Sequence, residues 1–436
     1  MQPLRPNHPP SNRGEPTSPK NVVSRGALYM LAMGLMSAGY SSVDFMSNTM
    51  IPITLRHFTA NKLVIACIID LNRLFAFIVQ PYVAWKGDHL NTRFGRRRPL
   101  LMIGLQGTMA FLLLLGMLPI LIQGDLRHAL VGLAVIFIVN FFMQAFQDVN
   151  GGNEGPLYGD TFGPGRLGRA VAIRAIMNQL MVLFMSYFAM KWADLDEIYA
   201  YFVSGGFLAV SLLIVIFMIR ENAPEKPPPR EAYNPLKHLR LLRENKDYLK
   251  VAIIGAAGLM YSGCFMLYLS LFATEDLGLS IGEFGMAIGV GPFLVLVIAV
   301  PVGLFVDRLG PKPIIITGFI LLAISALSML FLVHGFWSLL VVNVLYTVAS
   351  QLHWLSILPM IFQYAPEGER GKVFGLIQFV RSLAAFLISF PTGSMAEYTP
   401  LGYRAGYAVC TLLALVGLST AWVSRTVAGL FVLKGI

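Results

Sequence analysis

Charged residues are scarce in this sequence: they make up 13% of 436 residues, against 56% that are hydrophobic. No water-soluble domain of this length could stay in solution on that balance, with a mean hydropathy of +0.67, so most of the chain must face lipid. Cysteine is nearly absent as well. Cys67, Cys264 and Cys410 all fall in apolar stretches without paired spacing, which leaves no disulfide framework and no metal-binding set. The sequence also lacks His-Glu-x-x-His, Gly-x-Ser-x-Gly and any glycine-rich phosphate loop with a lysine. That removes the signatures of a hydrolase and of direct ATP use, and no cofactor is expected. The first apolar run has no small-residue cleavage pattern, so it reads as a retained span behind a disordered tail at 1–25.

What the chain has in abundance is apolar runs of about 20 residues, each long enough to cross a ~30 Å hydrocarbon layer as a helix that satisfies its own backbone. Spans are expected near 27–52, 62–85, 99–123, 129–150, 171–190, 198–219, 249–273, 282–305, 312–333, 336–361, 373–392 and 405–426. The expected fold is therefore an all-α membrane protein of twelve transmembrane helices.

A formal net charge of +10 would suit a nucleic acid only if the basic residues formed one patch, and they do not. About 26 of the 33 Lys and Arg fall in the termini and even-numbered loops, about five in the odd-numbered loops, and Arg73 and Arg381 lie within spans. By the positive-inside rule, both termini are expected in the cytoplasm of a cell whose plasma (inner) membrane holds the chain; a basic face for anionic lipid heads is compatible with this.

The longest polar interruption runs from Arg220 to Lys250 and carries Lys226-Pro227-Pro228-Pro229-Arg230, which suits a cytoplasmic connector. It divides the chain into a six-helix bundle at 26–220, a linker at 221–248, a second six-helix bundle at 249–428 and a tail at 429–436. Similar motifs recur at matching places in the two halves. Asp88 through Arg93-Phe94-Gly95-Arg96-Arg97-Arg98-Pro99 follows the second span, and Gly303-Leu304-Phe305-Val306-Asp307-Arg308-Leu309-Gly310-Pro311-Lys312 follows the eighth. Gly165-Arg166-Leu167-Gly168-Arg169 after the fourth corresponds to Gly368-Glu369-Arg370-Gly371-Lys372 after the tenth. Repetition in the same order indicates duplicated halves, an arrangement in which substrate sites form near the midplane between repeats.

The stretch Gly303 to Lys312 resembles the short cytoplasmic signature of the major facilitator superfamily. The copy from Gln80-Pro81 to Pro99 is similar to the longer version in the glycoside–cation symporter branch, which includes plant-type sucrose transporters. Ala84 and His89 depart from that branch's pattern, and Ala76 and Gln80 stand where its sodium-coupled members carry acids. The resemblance implies two pseudo-symmetric bundles that rock about a central site, and a latch that holds the cytoplasmic side shut. Asp88, Arg93, Gly95 and Arg96 in one half, with Gly303, Asp307, Arg308 and Gly310 in the other, are the residues it assigns to that gate. The physical basis is a carboxylate bonded to the N-terminus of a neighbouring helix; the bland alternative makes the Arg run a topology determinant.

Ionisable residues inside hydrocarbon are expensive and default to functional candidates. Asp44 lies in the first helix without a local partner and is the first choice for a proton-coupled carboxylate, with a hydrogen-bonded acid near the outer mouth as the alternative. Asp70 and Arg73 share one face of the second helix, either as a couple in transport or as a structural pair. Asp148 and Glu154 end the fourth helix, and Asp148 joins the proton-coupling candidates. The resemblance implies a cavity lined by helices 1, 4, 7 and 10, where the chain offers Tyr40, Asn140, Gln144, Tyr261, Tyr268, Gln351, His353 and Trp354. Amides and aromatics suit a hydroxyl-rich ligand, although either kind also serves as packing.

The reading that follows is a secondary transporter, a monomer in the lipid bilayer, coupling a small solute such as a sugar or glycoside to a cation, taken as the proton. The alternatives are an exporter of amphipathic compounds and a non-transporting membrane protein that assembles or delivers a cofactor.

Overall fold

A computed structural model describes residues 26–70, 76, 79–80, 82–87, 90, 92–124, 130–162, 164–219, 221, 245–364 and 370–424. The described chain is almost wholly helical and contains no strand. In chain order the helices are α1 (Ala27–Arg56), α2 (Lys62–Ile69, with helical backbone again at 82–87), α3 (Arg98–Leu121), α4 (Leu130–Thr161), α5 (Pro164–Phe184), α6 (Ile198–Phe217), α7 (Lys246–Leu267), α8 (Ile281–Leu309), α9 (Pro311–Phe331), α10 (Phe336–Tyr364), α11 (Arg370–Leu387) and α12 (Ala405–Val423). A π turn at Met185–Ala189 carries α5 on to Ala193, another at Phe272–Asp276 ends the extension of α7, and α11 continues as Ser389–Tyr398.

Ten of these, α3 to α12 with their extensions, are long and apolar enough to cross a membrane. The thirty residues of α1 span about 45 Å, yet they carry Ser, Thr, Asn and Asp along much of their length. A helix this polar can cross because neighbouring helices, not lipid, cover most of it. Within the second expected span, residues 71–75, 77–78 and 81 lie outside the described residues.

Two expected boundaries shift. The fourth helix does not end near 150: it runs on to Thr161, so Asp148-Val149-Asn150-Gly151-Gly152-Asn153-Glu154 is buried helix and not a loop margin. The fifth begins at Pro164, not near 171, because proline fits a helix's first turn, where its missing N–H costs nothing. Arg174 therefore sits well inside a helix.

Helix packing repeats between the halves. In the first, α1 packs on α5 and α6, and α3 on α4 and α6; in the second, α7 packs on α11 and α12, and α9 on α10 and α12. The halves meet where α2 packs on the extension of α11, and where α5 packs on α8. Even the terminal ties match. Arg98, opening α3, donates to the carbonyls of Val215 and Ile216 at the end of α6. Lys312, in the first turn of α9, donates to the carbonyls of Trp422 and Ser424 at the end of α12. Each cation sits where helix dipoles place negative charge.

The side on which the described chain begins and ends is called the near side here, and the other the far side. A set of polar bonds joins the halves at the far side. Arg56 bonds Glu275 at 2.6 Å, Glu275 accepts the Tyr403 hydroxyl, Lys62 N–H donates to Glu397 at 2.7 Å, and the Tyr268 hydroxyl donates to the Lys62 carbonyl. Asp194 accepts the Gly282 N–H at 2.9 Å and the Ser280 hydroxyl at 3.2 Å, at the N-terminus of α8. The far side is therefore shut in this conformer.

Candidate functional site

Between the halves lies a cavity of about 550 Å³. One face of α1 lines it with Ser41, Asp44, Phe45 and Asn48, spaced for adjacent helical turns. From α5 come Asn178, Gln179 and Val182; from α7, Ser262, Gly263 and Met266; from α8, Phe284, Ile288, Gly291 and Pro292. The face of α10 supplies Asn343, Tyr346, Thr347, Ser350 and Gln351. Hydroxyls and amides dominate its polar part, and Asp44 is the one charged residue among the described lining.

The α8 wall shows how sequence builds this surface. Pro292 has no N–H, so the Ile288 carbonyl lacks its usual helical donor. Asn343 Nδ2 lies 3.4 Å from that carbonyl and 3.2 Å from that of Ala287, replacing the missing bond from the neighbouring α10. Neither Asn343 nor Tyr346 stands out in the sequence, because the bond joins positions 55 residues apart.

Behind Asp44 stands α4. Gln147 Nε2 donates to Asp44 Oδ1 at 2.5 Å, fixing the carboxylate against α4. The next residue, Asp148, accepts Gln80 Nε2 at 2.6 Å and is 1% exposed, with its second oxygen unpartnered among the described residues. Gly151 lets side chains approach beside it: a Cβ there would stand 2.8 Å from both the Tyr40 hydroxyl and Gln80 Nε2. Farther along, buried Glu154 pairs with Arg174 of α5 at 2.9 Å, and Arg174 Nε also donates to Ser37 at 3.0 Å. Arg174 falls in the first turn of the expected span 171–190 and does not stand out there; a helix start at Pro164 is the signal that could have placed it deeper in the bundle.

The other sequence candidates are dispersed. Gln351 lines the cavity with Asp44. Asn140 donates to the Ile68 carbonyl and Gln144 to Ser47 at 3.4 Å, both inside the first bundle. Tyr261 donates to the Leu322 carbonyl and bonds Ser325, tying α7 to α9, and Tyr268 belongs to the far-side closure. His353 is buried against Phe319 and Gly258, while Trp354 lies under Arg381, 5.0 Å from the guanidinium. Arg381 Nε donates to the Gly255 carbonyl at 3.1 Å. Asp70 is buried at the end of the α2 segment. Arg73 and Asp88 lie outside the described residues, as does the side chain of Asp307. The expectation that helix 4 lines the cavity is corrected: α5 and α8 do so, because the amides of α4 are spent on α1 and α2.

At the near side, the loop motif is a helix cap. Glu221 accepts the backbone N–H groups of Arg96, Arg97 and Arg98 at 2.6 to 3.0 Å, closing the N-terminus of α3. Gly95 has φ 107°, and a Cβ there would stand 2.7 Å from the Glu221 carboxylate, so both conformation and space demand glycine. Arg96 and Arg97 bond Asp160 at 3.2 and 2.9 Å, and Arg93 stacks over Phe94. In the other half, Gly310 turns the chain at φ 80°, a Cβ on Gly303 would meet nothing, and Arg308 is exposed. Loss of the carboxylate cap in Glu221→Ala should cost about 1–2 kcal/mol. A fall of about 2–4 °C or more in the melting temperature of the detergent-solubilised protein is expected; no fall would mean the cap carries no stability.

Twelve helices in repeated halves around a central polar cavity define a polytopic membrane transporter. The family model of the Major Facilitator Superfamily matches residues 30–388 and 251–432, and the chain belongs to that superfamily as a secondary transporter. Among solved structures, the fold is similar to a variant of the nucleoside transporter NupG, with TM-score 0.71 and 12% identity over 91% of this chain and 98% of that one. It is also similar to a POT family transporter in complex with 5-aminolevulinic acid, with TM-score 0.66, 11% identity and coverage of 91% and 94%. A bacterial homolog of the human lysosomal transporter Spinster, in an inward-facing and occupied conformation, gives TM-score 0.68, 10% identity and coverage of 91% and 96%. No curated protein sequence matches the chain.

Proposed function

We propose that the protein imports a small, uncharged, hydroxyl-rich solute such as a sugar or glycoside, coupled to protons, by alternating access. The observation that carries this is the cavity: hydroxyls and amides from both halves surround a single carboxylate, Asp44. Such a lining hydrogen-bonds a polyol without opposing charge, and pockets of roughly 300–1,000 Å³ hold ligands of that size. An isolated carboxylate in a low-dielectric wall can bind and release a proton as the cavity's exposure changes. Similarity of the loop motif to the glycoside–cation symporter branch supports the solute class.

With both termini on the cytoplasmic side of the plasma membrane, as the distribution of Lys and Arg supports, the far-side closure makes this the inward-facing state of a monomeric transporter. Uptake of labelled sugars into proteoliposomes, with and without an inward proton gradient, tests the reading. Gradient-dependent uptake of one sugar is the expected result, and none under either condition would overturn the solute class. The apolar share of the lining, including Phe45, Met266, Phe284 and Val295, favours one second reading, export of an amphipathic compound; it would show as solute movement against the direction of the proton flux.

A further inference from the structure

The bonds between α1 and α4 fall on one antiparallel register. Ser47 faces Gln144, Asp44 faces Gln147, the Tyr40 hydroxyl lies against Gly151, and Ser37 meets Glu154 through Arg174. Tyr29 against Phe162 continues it, with ring centres 6.1 Å apart. From Ser47 to Ser37 each step moves one turn toward the near side on both helices, and the contact of Tyr29 with Phe162 lies two turns further on, so a polar seam leaves the cavity at Asp44 and descends inside the first bundle.

The seam is under-satisfied. Gln147 Oε1, Asp148 Oδ2 and the Tyr158 hydroxyl are buried without partners among the described residues. Groups of this kind in an apolar interior cost free energy unless water reaches them, and all lie between Asp44 and the lower end of α4. At that lower end the character changes. Arg174 grips Glu154 through two nitrogens, at 2.9 and 3.1 Å, holds Ser37 at 3.0 Å, and lies 5.4 Å from the Tyr158 ring centre. One guanidinium thus ties three helices across the foot of the seam.

We propose that the seam is a proton path from Asp44 toward the near side, and that the Glu154–Arg174 pair keeps it closed. The proposal rests on Asp44 as the proton-coupling carboxylate. Once the cavity opens to the far side, protons from that side reach Asp44, and an open seam would carry them straight through without solute. A proton arriving at Glu154 would leave the Arg174 charge unpaired among α1, α4 and α5, an electrostatic cost that closes the path. Arg174 is a positioning residue here: it acts through Glu154 and touches no solute.

The test needs no solute. Proteoliposomes holding a trapped pH dye are given a pH gradient, with potassium and valinomycin clamping the voltage, and its decay is followed. Arg174→Gln should dissipate the gradient about tenfold faster than the parent, while Arg174→Lys should stay near it. Because Arg174→Gln leaves Glu154 unpaired and can impair folding, the double variant Glu154→Gln with Arg174→Gln, which leaves no unpaired charge at the foot of the seam, is measured beside it and should leak as well. Adding Tyr40→Phe to that double variant should restore tightness. Tight vesicles for both Arg174→Gln and the double variant would overturn the proposal, and so would a leak that survives Tyr40→Phe, which would place the path in the central cavity. Failure of sugar uptake alone would leave the leak result standing, so the two readings fail separately.

Discussion

Asp44→Asn is expected to abolish gradient-driven accumulation of solute while sparing exchange of labelled for unlabelled solute across the membrane. The carboxylate is the one charge on the described cavity lining, and Gln147 Nε2 holds it at 2.5 Å. Asparagine keeps an oxygen for that bond and nearly the same volume, so cavity shape and solute contacts persist. What it cannot do is exchange a proton. A one-unit pH gradient is worth about 1.4 kcal/mol, or about tenfold accumulation at a one-to-one stoichiometry. The parent should approach that ratio and the variant should stay at equality. Accumulation retained in Asp44→Asn would move the coupling proton elsewhere, with Asp148 next in line.

Gly285→Leu should hold the transporter open to the far side and stop net transport. Gly285 faces α5 across the interface between the halves, where an added Cβ would meet the Ser186 carbonyl and Met190. A backbone carbonyl cannot swing away, so α8 must move off α5. Overpacking of this kind costs about 1–3 kcal/mol, which converts to a population shift of about 5- to 150-fold. The opposing far-side bonds are weaker: Arg56 and Glu275 are each about one-third exposed, and such pairs contribute about 0–1 kcal/mol. Spin labels at exposed Leu195 and Tyr398 should report a longer distance in the variant than in the parent. Gly206→Leu, where nothing lies within 4 Å of the new Cβ, should leave both distance and transport unchanged. An unchanged distance in Gly285→Leu would show that the interface yields without opening.

Much of this molecule was legible along the chain because its causes are local. Runs of apolar residues must form helices in lipid, since each helix satisfies its own backbone. Continuous apolar runs therefore located α3 and α6 to α10 to within a few residues. Asp44 stood out for the same reason, as a charge where charge is expensive. The recurrence of Gly303 to Lys312 disclosed the duplicated halves, which reappear as Arg98 and Lys312 tying equivalent helix ends.

Other features depend on partners far apart in sequence, and no local pattern carries them. The polar run at Asp148 to Glu154 looked like a helix margin because hydropathy falls there; it is buried helix because Gln80, Tyr40 and Arg174 arrive from α2, α1 and α5 to meet it. Glu221 looked like the start of a linker, and it caps α3. Tyr261 and Tyr268 have the composition of cavity residues, yet their hydroxyls are committed to carbonyls of other helices. Composition by itself determined that this chain crosses a membrane many times as helices, because the solvent imposes that on any such sequence, and the recurring loop motifs determined that the helices fall into paired halves. Which polar groups face the cavity, and which are spent inside a bundle, was decided only by tertiary packing, because a hydrogen bond is satisfied by whatever partner the fold brings within about 3 Å.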